Sequence, residues 1–338
     1  AEKKNETDEE FGYYDYEEKF LRKIIVNKYF KTIYSAIKKM KFVDISQMYM
    51  NIFHSETPES MKEEEWLLLK SSTIEKMKDH IITYEDATPF VYLKDRIEGK
   101  KSTTGIRHVF IDEAQDYSDF QMEYLKELFP YSKMTLLGDI NQAIYAHKHN
   151  ALIGENPSEE VERIVLMKSY RSTSEIVEFT KDMAFKGEEI EPFNRHGQLP
   201  LLLDVKDEQA KERDVLERIT SWKEKGYKTI AIICKTYQES EEVYHKLKQK
   251  YPVRLIDKGT NSYEKGVSII PAYLAKGIEF DGVILYNSSN YQLEMEKELF
   301  YTACTRAMHE LYLYVDSGKL NPFIESIGNE KYERLEVK

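Results

Sequence analysis

The apolar positions Val26, Phe30, Ile33, Ile37 and Met40 recur at spacings of 4, 3, 4 and 3, which predicts a helix over Phe20 to Met40 with one buried stripe. A second helix starts after Asp44, which is suited to cap its free first-turn amides, and Ile45, Met48 and Ile52 share a face there. Glu59 to Ile82, opening near Pro58, and Asp86 to Ile97, following Thr83 and Asp86, read as a third and a fourth helix. The first hundred residues are therefore expected to be all-helical. Past the Lys/Ser/Thr-rich connector from Gly99 to Gly105, short apolar and β-branched runs alternate with helical stretches, an α/β pattern. Strands are predicted at His108 to Ile111, Met134 to Leu137, Arg163 to Leu166, Leu201 to Val205, Thr229 to Cys234, Val253 to Ile256, Val267 to Ile270, Gly282 to Tyr286 and Leu311 to Val315. Several are nearly continuous apolar runs, as expected of parallel strands covered on both faces.

With 338 residues and 41% hydrophobic content, the chain is long enough for two compact domains. It has no apolar run of the roughly 18 residues a membrane span needs, and Ala1-Glu2-Lys3-Lys4-Asn5-Glu6 is unlike a signal peptide. A soluble cytoplasmic protein with no membrane partner is expected. Cys234 and Cys304 are far apart, with no second Cys or clustered His beside either. That excludes a disulfide framework or a structural zinc site and makes both small buried hydrophobes. The net charge of −11 argues against a protein that coats nucleic acid nonspecifically, while leaving room for a local basic groove. Part of the acidity is concentrated in Glu2, Glu6, Asp8, Glu9, Glu10, Asp15, Glu17 and Glu18, expected to form a solvated, disordered end.

Val109 to Ile111 is an apolar strand that ends directly in Asp112-Glu113-Ala114-Gln115-Asp116. An arbitrary Asp-Glu pair is most often a solvated helix start. At the carboxyl end of a strand in an open α/β sheet, where chemistry collects, Asp can hold Mg²⁺ and an adjacent Glu can deprotonate an attacking water. Leu136-Leu137-Gly138-Asp139-Ile140-Asn141-Gln142-Ala143-Ile144-Tyr145 repeats the pattern one βα unit later, with Gly138 allowing a tight turn and Gln142 placed to sense a terminal phosphate.

D-E-A-Q-D followed by G-D-x-x-Q-x-I-Y resembles motifs II and III of the UvrD/Rep group of superfamily 1 helicases. Ser169-Tyr170-Arg171-Ser172-Thr173 resembles motif IV, Ala275-Lys276-Gly277-Ile278-Glu279-Phe280-Asp281 motif V, and Tyr301-Thr302-Ala303-Cys304-Thr305-Arg306-Ala307 motif VI. The resemblance covers residues 107 to about 316 and implies RecA-like parallel sheets with ATP and Mg²⁺ in a cleft. It further implies that Asp112 helps hold Mg²⁺, Glu113 activates the hydrolytic water and Gln142 contacts the γ-phosphate. Tyr170 would stack near the adenine, Arg171 and Arg306 would reach the γ-phosphate, and Glu279 and the backbone at Gly277 would approach the ribose and phosphates. Guanidinium groups suit that task because they stay charged and offer bidentate donors.

The departures from the family pattern are equally informative. The P-loop G-x-x-x-x-G-K-[ST] is absent; the superficial candidate Gly99-Lys100-Lys101-Ser102 has Lys94 where the earlier glycine belongs. In the family that loop precedes D-E-A-Q-D, so a missing N-terminal part of the same chain carrying the P-loop is expected, and these residues alone are expected to be inactive. Only a short link joins Ile256 to Val267, where typical relatives insert a helical domain, and Pro271-Ala272-Tyr273-Leu274 precedes motif V in place of the usual Thr and His. These features resemble the HelD branch, whose members use ATP to remodel or recycle RNA polymerase.

The expected organisation is a helical subdomain at residues 1–100, the C-terminal part of a first RecA-like domain at 101–167, a second RecA-like domain at 168–325 and a tail at 326–338. The leading reading is a HelD-like factor acting on RNA polymerase. A DNA helicase translocating on single-stranded DNA and a non-hydrolysing interaction module are the alternatives.

Overall fold

The computed structural model describes residues 2–38, 40–99, 102–143, 161–260 and 264–337, with side chains from residue 18 onward. Ile144 and Tyr145 of the second motif, and Lys100 and Lys101 of the connector, lie outside the described residues. Two compact units are present: residues 1–109 with 120–133, and residues 110–119 with 134–338.

The first unit is helical, as the 3.6-residue patterning predicts. Helix α1, Glu2–Lys38, begins far earlier than the expected Phe20. The acidic end is therefore helical, not disordered, consistent with its Glu and Lys residues being good helix formers. The expected burial of the α1 stripe is not found: Val26, Phe30, Ile33 and Ile37 are all exposed, because no described segment packs over them. Helix α2, Ile45–Ile52, is capped by Asp44, which accepts the Gln47 amide at 2.9 Å. Helix α3 spans Glu63–Lys78, shorter than predicted, and the chain leaves it through His80 in the left-handed region at φ 60°. In α4, Tyr84–Glu98, the Thr83 hydroxyl caps the Asp86 amide at 3.3 Å. Tyr49, Phe53, Trp66 and Met77 form the small core of this unit, and the Tyr49 hydroxyl donates to Asp86 at 2.9 Å. Helix α5, Asp119–Leu128, lies mostly in the same unit, where Tyr124 donates to Asp95 at 2.6 Å.

Strands β1, His108–Ile111, and β2, Lys133–Leu136, pair with each other. The second unit is built on a seven-stranded sheet. Its strands are β5 (Leu201–Val205), β6 (Thr229–Cys234), β7 (Val253–Leu255), β8 (Gly266–Pro271), β9 (Phe280–Leu285), β10 (Ala307–Asp316) and β11 (Glu333–Glu336), in spatial order β11-β5-β10-β9-β6-β8-β7. Every pairing is parallel. The fold class is thus α/β with a RecA-like parallel sheet.

Period-2 alternation divides the core between the two faces of the sheet. Leu202, Ala231 and Ile233 point to one face, covered by α6 (Ser174–Lys181), α9 (Lys297–Cys304) and α10 (Pro322–Glu325) through Phe179, Phe300 and Ile324. Leu203, Ile230 and Ile232 point to the other, covered by α7 (Glu208–Glu224) and α8 (Tyr237–Leu247) through Val215, Ile219, Trp222 and Leu247. Cys234 and Cys304 are buried free thiols, one on each face.

Arg163 to Leu166 is not a strand. Residues 161–167 are irregular and exposed, because no described strand lies beside them to complete a ladder. Two-residue strands β3, Lys168–Ser169, and β4, Glu191–Pro192, pair in parallel and fall below what alternation can reveal. Residues 326–338, read as a tail, contribute β11, which adds to the outer edge of β5. Its Glu-Arg-Leu-Glu composition hides it, since all four side chains of this edge strand are exposed.

Candidate functional site

β1 delivers its carboxylates to a strained turn. Asp112 Oδ1 accepts the Glu113 amide at 2.9 Å, and Glu113 itself sits at φ 50°, ψ 40°, a left-handed conformation uncommon for a residue with a Cβ. The Ala114 amide donates to the Leu137 carbonyl at 2.8 Å, tying this turn to the end of β2. Gln115, almost fully buried, bridges the two loops: its Oε1 accepts the Asp139 amide at 3.0 Å and its Nε2 donates to Glu113 Oε2 at 2.5 Å. Asp139 in turn caps the short turn Ile140–Gln142, accepting from the Asn141 amide at 3.0 Å and from Gln142 Nε2 at 2.6 Å. Gln142 is thus held with its Oε1 free to face outward from its own loop.

That oxygen receives Arg306. The guanidinium precedes β10 and is 1% exposed; its Nη2 donates to Gln142 Oε1 at 2.8 Å and its Nε to the Thr302 carbonyl of α9 at 3.0 Å. Burial lowers its pKa, and the neighbouring Arg171 adds to the effect, while Glu279, Glu113 and Asp139 act in the opposite direction. Arg171 is more exposed and pairs with Glu279 at 2.8 Å. Its segment is fastened to the start of β10 by the Ser172 hydroxyl, which donates to the Ala307 carbonyl at 2.6 Å.

Lys276, in the loop between β8 and β9, completes the assembly. Its Nζ lies 2.7 Å from both Asp116 oxygens, 2.9 Å from the Gln142 carbonyl and 3.2 Å from Glu113 Oε2, with the side chain 10% exposed. Gly277 follows at φ 77°, where a side chain would be strained, so the loop can bring Lys276 inward and still send Glu279 toward Arg171. Glu113, Gln142 and Arg306 thus join one hydrogen-bonded network through Gln115, Asp139 and Lys276, while Asp112 abuts it through the Glu113 amide. Tyr170 stands apart, exposed on an open face with its ring centroid 5.1 Å from that of Phe193. The motif strings alone do not single out Lys276, Gln115, Asp116 or Asp139 as site residues, although each lies inside one of them.

The UvrD/REP helicase N-terminal domain family matches residues 1–153, and the UvrD-like helicase C-terminal domain family matches residues 266–314. Over those two stretches the chain is similar to the UvrD-like helicases of superfamily 1. Two similar proteins are "Putative ATP-dependent DNA helicase R568" of Acanthamoeba polyphaga mimivirus, 24% identical over 268 residues, and "Probable DNA helicase II homolog" of Mycoplasma capricolum, 25% identical over 277 residues. Those alignments take in 67% and 71% of this chain but only 37% and 38% of the two relatives. A solved structure of the C-terminal domain of a possible DNA helicase from Lactobacillus plantarum is 36% identical, covering 49% of this chain and 98% of its own, with a TM-score of 0.42. Among the described residues no helix is long and apolar enough to cross a membrane.

Proposed function

We propose that this UvrD-like chain is the motor part of an ATP hydrolase and that it works as a HelD-like factor remodelling or recycling RNA polymerase. The observation that carries the hydrolase reading is the network itself: Glu113, Gln142, Lys276 and Arg306 come from four separate segments and meet within hydrogen-bond distance. In this reading residues 101–167 belong to a first RecA-like domain and 168–325 to a second.

Asp112 fits a Mg²⁺ site of the kind that arrives with nucleotide. It is exposed, its Oδ2 has no described partner, and no group of three or more His, Cys, Asp or Glu side chains among the described residues is arranged to hold a metal alone. Mg²⁺ takes one or two carboxylates together with phosphate oxygens and water, and bound there it would neutralise phosphate charge. Glu113 accepts the proton of the attacking water. Gln142 and Arg306 stand together as neutral and charged donors toward the terminal phosphate, and Arg171 supplies the second guanidinium. Tyr170 offers an exposed ring for the base, and Glu279 and the Gly277 backbone border the ribose.

These 338 residues contain no P-loop, so the main cradle for the β- and γ-phosphates must be supplied from outside them. The chain taken alone should therefore release no phosphate in steady state. Turnover of about 1 s⁻¹ or faster that disappeared in Glu113→Gln would overturn that expectation.

The HelD-like assignment is supported by the β7–β8 connection, which occupies only residues 256–265, and by the short turn Ala272–Leu274 after Pro271 ahead of Lys276. Affinity capture with the full-length protein should return RNA polymerase subunits as the dominant catch; a catch without them would remove the assignment. The names of the two curated relatives favour a second reading, a DNA helicase acting on nucleic acid. ATP-dependent separation of a forked DNA duplex by the full-length protein would establish that reading instead.

A further inference from the structure

The two oxygens of Glu113 are not equivalent. Oε2 receives Gln115 Nε2 at 2.5 Å and Lys276 Nζ at 3.2 Å, whereas among the described residues nothing donates to Oε1. The Gln115 amide cannot turn over without loss, because its own oxygen is committed to the Asp139 amide at 3.0 Å and its NH₂ must then face Glu113. Lys276 has no spare donor: the two Asp116 oxygens and the Gln142 carbonyl take its three hydrogens, and it faces Glu113 Oε2 at 3.2 Å as an ion pair. Its ammonium is thus a fixed point rather than a mobile surface charge, held 10% exposed by a loop whose glycine turns at φ 77°.

We infer that Lys276 is a positioning residue for Glu113. Together with Gln115 it pins Oε2, so that Oε1 alone is presented to the attacking water. That oxygen takes the water's proton as the water oxygen bonds to the γ-phosphorus and the bridging P–O bond breaks toward ADP. The same ammonium holds the Gln142 carbonyl, so the base and the phosphate-contacting glutamine are set in one frame. Lys276 does not touch the reacting atoms in this arrangement; it acts through Glu113 and Gln142. The inference rests on the hydrolase reading above.

The two readings fail differently in one experiment on the full-length protein, with phosphate release measured against ATP concentration well below the thermal transition. Wild-type protein that releases no phosphate would sink the hydrolase reading. If wild type is active, Lys276→Gln should lower kcat by about 10²-fold, the scale of a misplacement near 1 Å, with KM for ATP changed by less than about threefold. A lysine that merely braces the fold would lower the melting temperature and leave kcat unchanged. Because the single variant strands a partly buried Asp116, the double variant Lys276→Gln/Asp116→Asn removes both charges together and remains readable if the single one does not fold. The same loss in kcat is expected of it, and a double variant within about threefold of wild-type kcat would overturn the inference.

Discussion

Glu310 offers the sharpest test of how the second unit holds its site. It lies on β10, four residues beyond Arg306, and is 4% exposed. Its Oε2 accepts Trp222 Nε1 at 2.7 Å and the Tyr312 hydroxyl at 2.6 Å, while Oε1 accepts Lys225 Nζ at 2.6 Å and the Tyr227 hydroxyl at 2.8 Å. Burial works against its ionisation, but these four donors outweigh burial and hold the carboxyl below its usual pKa. Glu310→Ala leaves the Trp222 N–H and the Tyr312 hydroxyl buried without an acceptor, at about 1–3 kcal/mol each, while the partly exposed Lys225 can turn to water. A total of about 3–5 kcal/mol follows, in line with breaking a buried pair from one side. At about 2–4 °C per kcal/mol, the melting transition of this unit should fall by roughly 10 °C.

The pH dependence has a definite sign. A carboxyl with a depressed folded pKa contributes stability that is complete above its unfolded value, near 4.3, and is lost as pH falls through the folded value. Wild-type and Glu310→Gln melting temperatures should therefore differ most at neutral pH and converge in acid. Urea denaturation and thermal melts from about pH 3 to 8 decide the matter. A Glu310→Ala variant within about 1 kcal/mol of wild type at pH 7 would refute the argument, as would a gap that widens in acid.

Three further outcomes are expected. Glu113→Gln in the full-length protein should keep Mg-ATP binding by calorimetry and abolish turnover, while Asp112→Asn should weaken the dependence on Mg²⁺; wild-type rates in both would reduce the acidic pair to a turn. Arg306→Ala, which removes the donor to Gln142 Oε1, should lower kcat by about 10³-fold with nucleotide binding retained, and near-normal turnover would rule it out as a γ-phosphate contact. Gly282→Ala would set a Cβ 2.6 Å from Trp222 Cε3, a ring that is fully buried, and should cost about 1–3 kcal/mol in a urea melt of the 338-residue chain.

Whatever is local in this fold is written in the chain itself. Side-chain alternation along a strand is a property of the backbone, so β5, β6 and β9 are legible as near-continuous apolar runs, and the adjacent carboxylates of Asp112 and Glu113 are placed at a strand end by residue order alone. The Asp44 and Thr83 caps are legible for the same reason, because a cap is a contact over three residues. Periodicity says which residues share a face and nothing about what covers it, so the α1 stripe reads as buried and is exposed. Only the tertiary structure could join Lys276 to Asp116 across 160 positions, or Arg306 to Gln142 across 164. In those contacts Lys276 and Arg306 come from loops of the seven-stranded sheet, whereas Asp116 and Gln142 follow β1 and β2 of a separate two-stranded sheet, so no short stretch of chain encodes them. The strand status of β11 is likewise a matter of which edge is free, and its exposed, charged side chains give no local sign of it.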